Sequence, residues 1–256
     1  MMLLLKLTLA PLLIGLVSLA QRKWGAAVSG ALVGLPLTSG PVLFFLAIEQ
    51  GAAFSARTAI GSLLGLIAQV GFALAYSWLA RWRGWVPSMA GAVVVYIAIS
   101  VLFLKVPLGG ATLLFVIACA VLAAALRAFP RSCAGSATSK HVSSREVAAR
   151  MITVALLVFL LTAIAPLLGP VPSGLLAAFP VYTGILAVFN HLRSSAQATA
   201  VLKGVLMGNF SAAVFYVIVS LSLGRLALGL CFLLATLGGV AVQTVLLPYL
   251  RPAANA

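Results

Sequence analysis

Nine stretches of this chain, each about 20 residues long and so matched to the hydrocarbon core of a bilayer, are predominantly apolar. They fall at roughly 3–20, 27–48, 58–80, 87–104, 110–127, 150–168, 173–190, 200–222 and 226–248, and short polar or Gly/Pro-containing intervals separate them. Inside hydrocarbon every backbone N–H and C=O must be satisfied within the protein, which leaves helices and closed barrels as spanning structures. Runs of this length select helices. The chain reads as all-α, a polytopic membrane bundle of about nine transmembrane helices. Composition agrees: 64% of residues are apolar, 7% are charged, and mean hydropathy is +1.23. A soluble domain of this size has no use for so much apolar surface.

The formal charge of +14 superficially suggests a nucleic-acid partner, but it arises because Glu49 and Glu146 alone offset sixteen Lys and Arg. No basic stripe or soluble module accompanies it, so a nucleic-acid role is excluded. The bases sit mainly in the intervals. Twelve (Arg22, Lys23, Arg81, Arg83, Arg127, Arg131, Lys140, Arg145, Arg150, Arg193, Lys203 and Arg251) fall after odd-numbered runs or at the C-terminus. Four (Lys6, Arg57, Lys105 and Arg225) fall on the other side. The positive-inside rule then predicts an N-terminus outside and a C-terminus in the cytoplasm. The first run reads as a retained helix, because Arg22 and Lys23 follow it where a signal peptide carries its charge in front. Cys119, Cys133 and Cys231 are scattered and suggest neither a disulfide framework nor a metal site.

Two of the apolar runs contain the same interruption. Gly34-Leu35-Pro36-Leu37-Thr38-Ser39-Gly40 and Ala178-Phe179-Pro180-Val181-Tyr182-Thr183-Gly184 stand 144 positions apart, with proline, hydroxyl and glycine in register. Gly61-x-x-x-Gly65 and Gly204-x-x-x-Gly208 follow at an offset of 143, as helix-packing seams of small residues. The chain therefore divides into a first repeat with its linking fifth run (1–127), a cytoplasmic linker (128–149) and a second repeat (150–256). The broken runs are the second and the seventh, five crossings apart, so the two copies cross in opposite directions. An inverted repeat with a broken helix in each half is the expected architecture. Paired breaks of this kind are the best sequence pointer to a transport site.

Each break predicts a half-helix N-terminus within the membrane. Pro36 removes a backbone donor and clashes with the Leu32 carbonyl, while Thr38 and Ser39 are good N-caps for a helix restarting near Gly40 or Pro41. Free N–H groups at such an end suit an anionic or polar group. The competing reading is a proline kink whose hydroxyls bond to carbonyls a turn earlier. Gln69 and Asn209 lie near the middle of neighbouring runs, where a buried amide must face either the bundle interior or a cavity. The candidate substrate-binding residues are thus Pro36, Thr38, Ser39, Gly40, Gln69, Pro180, Tyr182, Thr183, Gly184 and Asn209. Glu49 is expected to pair locally with Arg57, and Glu146 to lie in the linker. With no Asp, no midspan acid and no Ser/His/Asp, His or Cys constellation, an enzyme, a metal site and a cofactor are not expected.

The run from Gly34 to Gly51, followed by a small-residue helix carrying Ala75-Tyr76, resembles the GlpM-like bacterial inner-membrane proteins, here apparently joined as two units. The second half departs from the pattern in having Tyr182-Thr183-Gly184 where Thr-Ser-Gly-Pro stands in the first. The resemblance implies a bacterial inner membrane and a permease-like shape. Combined with the paired breaks, it gives an expected transporter for a small polar solute, an anion being suited to the half-helix ends. Lipid and solute are its expected partners, and self-association is left open. The alternative is a non-transporting membrane subunit of an envelope-synthesis or secretion complex.

Overall fold

A computed structural model of the protein describes residues 2–36, 39–105, 109–130, 144–164, 175 and 178–250. Among these the regular secondary structure is helical apart from an isolated bridge between Leu223 and Leu226. The helices are α1 (Met2–Trp24), α2 (Ala26–Val33), α3 (Ser39–Glu49), α4 (Ala52–Leu79) and α5 (Trp85–Lys105). They continue with α6 (Ala111–Ala128), α7 (Ser144–Ile164), α8 (Val181–His191), α9 (Ser195–Ser222) and α10 (Leu228–Leu246). Five of them, α4, α5, α6, α9 and α10, are long and apolar enough to cross a bilayer.

The two longest helices form the centre. The apolar windows of α4 and α9 are 72% and 61% buried, against 17–28% for α5, α6 and α10. The outer faces of those three helices expose Val94, Ile97, Val101, Val116, Leu233 and Leu237, among others, as an apolar surface suited to lipid. Helix α9 packs against α2, α4, α6, α8 and α10, and α4 packs against α3, α5 and α6. Helices α1 and α7 lie against each other at one flank.

Glycine controls how closely these helices approach. A methyl group placed on Gly204 would stand 2.0 Å from the Ala27 carbonyl oxygen, and one on Gly30 would stand 2.1 Å from that of Val201. One turn on, Gly208 and Gly34 meet in the same way, with a methyl on Gly208 only 2.8 Å from the Gly34 Cα. Two small-x-x-x-small faces, Gly30/Gly34 on α2 and Gly204/Gly208 on α9, thus bring the backbones together. Gly65 on α4 does likewise against the second break, where its methyl would lie 2.4 Å from the Ala178 Cβ.

Chain reversals use the freedom that only glycine has. Gly25 (φ 87°) joins α1 to α2, and Gly51 (φ 89°) joins α3 to α4, both in the left-handed region that costs other residues a Cβ clash. The α3–α4 reversal is then pinned by the Ser55 hydroxyl, which donates to the Leu43 carbonyl at 2.7 Å.

Two sequence expectations shift at this level. Helix α7 begins at Ser144, so residues 144–149, read as the end of the linker, are helical, and Glu146 has a structural place. Glu49 is exposed at the end of α3 and makes no ion pair among the described residues, so the expected pair with Arg57 is absent. An exposed pair in high dielectric gains too little to immobilise two long side chains.

Candidate functional site

After each of the two prolines a helix restarts with the same backbone bond. Helix α2 ends at Val33, Gly34 donates to the Gly30 carbonyl at 3.0 Å, and the chain leaves the helical path before Pro36. It re-enters at Ser39, and the first new bond runs from the Gly40 N–H to the Pro36 carbonyl at 2.8 Å. In the second break Pro180 caps α8, and the Gly184 N–H donates to the Pro180 carbonyl, also at 2.8 Å. Each proline therefore serves as the first acceptor of the helix that follows it, a role that needs no N–H of its own.

The hydroxyls beside the prolines bond across the bundle, to other helices. Ser39 Oγ lies 2.5 Å from the Tyr216 hydroxyl on α9. Thr183 Oγ1 accepts from Gln69 Nε2 on α4 at 3.0 Å, and Gln69 Oε1 accepts from Asn209 Nδ2 on α9 at 3.1 Å. The simple kink, with hydroxyls satisfied a turn earlier, does not describe Ser39. A continuous Asn209–Gln69–Thr183 chain links both central helices to the start of α8. All five side chains are buried, so these bonds replace water that the groups would otherwise require.

A cavity of about 50 Å³ opens beside this chain, where both breaks meet α4 and α9. Ser39 and Leu35 line it from the first break, and Phe179 to Thr183 from the second. Helix α4 contributes Leu66 and Gln69; α9 contributes Asn209, Ala212 and Tyr216. The site thus sets convergent polar groups of α3, α4, α8 and α9 among apolar side chains of both breaks.

Of the candidate residues that the sequence marks, Ser39, Gln69, Pro180, Tyr182, Thr183 and Asn209 line this cavity. Thr38 lies outside the described residues. Three do not belong to the lining. Pro36 acts through its carbonyl, as above. Gly40 packs under Phe215, with room of 3.3 Å for a methyl, and Gly184 packs under Met89 at 2.7 Å. Those two glycines admit neighbouring side chains. Tyr216 is a lining residue that is not among the sequence candidates. Its spacing carries the signal: it stands seven residues after Asn209, two turns along the same helix face.

A second polar cluster lies outside the sequence expectations. Arg150 on α7 is fully buried. It donates to Gln21 Oε1 at 2.9 Å and Ser18 Oγ at 3.2 Å on α1, and pairs with Glu146 one turn earlier. The other oxygen of Glu146 accepts from Arg193, beyond α8, at 2.6 Å. Gln21 Nε2 donates to Asn190 Oδ1 at 2.5 Å, and the Arg150 guanidinium lies 5.2 Å from the centre of the Phe189 ring. Glu146 matches the charge of the buried guanidinium, and Gln21 and Ser18 take part of its donors while Nε has no partner among the described residues, so this cluster ties α1, α7 and α8 together. Arg150 is therefore no loop base, and Glu146 no linker residue. The i, i+4 spacing of these two on α7 is the clue that the sequence offers. At the neighbouring helix end, the Tyr76 hydroxyl and His191 Nδ1 are 3.2 Å apart.

Compared with known proteins, the chain matches no family model, no curated protein and no solved structure.

Proposed function

We propose that the chain is a permease-like transporter of a bacterial inner membrane, related in its first half to the GlpM-like proteins, that holds a small polar solute between two interrupted helices. Nine spans run from an outside N-terminus to a cytoplasmic C-terminus, and spans one to four and six to nine are inverted copies. One observation carries the reading: the cavity lies where both breaks meet, lined by positions that the repeat relates. Gly34 and Ala178, Leu35 and Phe179, and Ser39 and Thr183 stand 144 apart; Leu66 and Asn209, and Gln69 and Ala212, stand 143 apart; both members of every pair line it.

Reciprocal packing supports the symmetry. Gly208 on α9 contacts Gly34 in the first break, and Gly65 on α4, its counterpart, contacts Ala178 in the second. Exchanging the conformations of two inverted halves exchanges inward and outward access to a site on their common axis. The chemistry rests on side chains of both copies. The alternative of a non-transporting subunit gives no reason for a polar cavity at that axis.

The inverted crossing has a direct test. In a cysteine-free background, Ala53→Cys at the start of α4 and Leu192→Cys after α8 place probes on two exposed positions of corresponding loops. They should label with a membrane-impermeant maleimide from opposite sides. Labelling from the same side contradicts inversion.

Solute binding is tested by thermal unfolding of the purified protein against a panel of small polar metabolites. A ligand at about a hundred times its Kd adds about 2.7 kcal/mol to the native state. For a chain of this size that raises Tm by roughly 5–11 °C. Gln69→Leu, which severs the amide chain, should remove the shift. An equal shift in the variant would place the binding elsewhere.

A further inference from the structure

We infer that the solute accepted by this cavity is uncharged, a small molecule carrying hydroxyl or amide groups; the inference rests on the permease reading and names its substrate class. The polar lining consists of amides and hydroxyls: Gln69, Asn209, Thr183, Ser39, Tyr216 and Tyr182. Every one of these can both donate and accept a hydrogen bond, and none carries a charge.

The neutrality extends well beyond the lining. No Lys, Arg, His, Asp or Glu occurs in residues 25–36, 39–48, 58–80, 178–190 or 204–224, which hold the elements that line the site. An ion placed there would lose its hydration without meeting an opposite charge, a cost of several kcal/mol even after relaxation. Part of the donor capacity of the half-helix ends is already used. Of the amides nearest the breaks, that of Gly40 already donates to Pro36, that of Gly184 to Pro180 and that of Val181 to Phe179, at 2.8 Å each.

The polar groups are instead arranged for a neutral guest. Asn209 donates to Gln69, which donates to Thr183, so the chain has a fixed sense and ends on a hydroxyl whose own proton is not used in that bond. A guest offering an O–H or N–H beside a carbonyl or hydroxyl oxygen continues such a chain without any charge transfer. Size narrows the class. The cavity of about 50 Å³ suits a solute of a few non-hydrogen atoms. Urea, acetamide and ethylene glycol have that size, and glycerol is slightly larger.

The test is flux into proteoliposomes containing the intact chain, measured in parallel for those four uncharged solutes and for the anions phosphate and glycolate, with and without a potassium–valinomycin potential. At least one uncharged solute should enter about tenfold faster than into protein-free liposomes, with a rate independent of the potential. Asn209→Leu and the milder Ser39→Ala should both lower that rate. Because Ser39→Ala removes one oxygen from a buried pair, it separates loss of the site from loss of the fold. Potential-dependent entry of an anion, with uncharged solutes at the protein-free rate, overturns this inference and leaves the permease reading standing. Entry of neither class overturns both.

Discussion

Gly204→Val is expected to lose most of the folded protein. The added Cβ would fall 2.0 Å from the Ala27 carbonyl oxygen and 2.9 Å from its carbon, both backbone atoms that cannot rotate away. Overpacking that neighbouring side chains can relieve costs about 1–3 kcal/mol. Here α2 and α9 must move apart along their whole seam, so the cost lies at or above the upper end of that range. A loss of about 3 kcal/mol lowers Tm by roughly 6–12 °C in a chain of this length. The seam also holds Gly34, which lines the cavity, against Gly208, so the same variant should lose solute binding. Gly229→Ala is the matching control, since a methyl there meets nothing within 4 Å. Its Tm should stay level or rise slightly, because alanine is the better helix former by about 1 kcal/mol. Unfolding temperature and monodispersity in mild detergent read both outcomes. Equal behaviour of the two variants would mean that the close seam does not hold the fold together.

Much of this arrangement is readable from the chain alone, and particular residues show why. Pro36 and Pro180 locate both interruptions because a proline ends or kinks a helix, and in lipid the freed backbone groups must be satisfied by protein. Gly25, Gly51 and Gly224 stand at helix junctions in a backbone conformation that favours glycine. Gln69 and Asn209 stand out because an amide in the middle of an apolar run needs a partner, and each is a partner of the other.

Pairing at long range is what the chain alone does not disclose. Ser39 and Tyr216 lie 177 positions apart, and nothing local in either segment announces their contact. Arg150 resembles a topology signal because a base next to an apolar run usually is one; its burial depends on Gln21, Ser18 and Glu146 all arriving at the same place. Gly40 and Gly184 share a motif with the hydroxyls beside them, which makes them look like ligand contacts. Their lack of a side chain instead makes room for Phe215 and Met89, which only the packed structure brings near.

On the proposed function, the cavity between the two breaks is a transport site opened alternately to either side. Thr183→Cys probes that opening. Thr183 is 1% exposed, lines the cavity from the second break and is close to cysteine in size. In a chain whose own cysteines, Cys119, Cys133 and Cys231, have been replaced, this thiol can be challenged with a charged, membrane-impermeant methanethiosulfonate. Right-side-out and inside-out vesicles present the two faces separately. Modification from both faces, slowed in each case by a transported solute, is the predicted result. Modification from one face only, or from neither, would contradict an alternating site and leave the two breaks as features of packing.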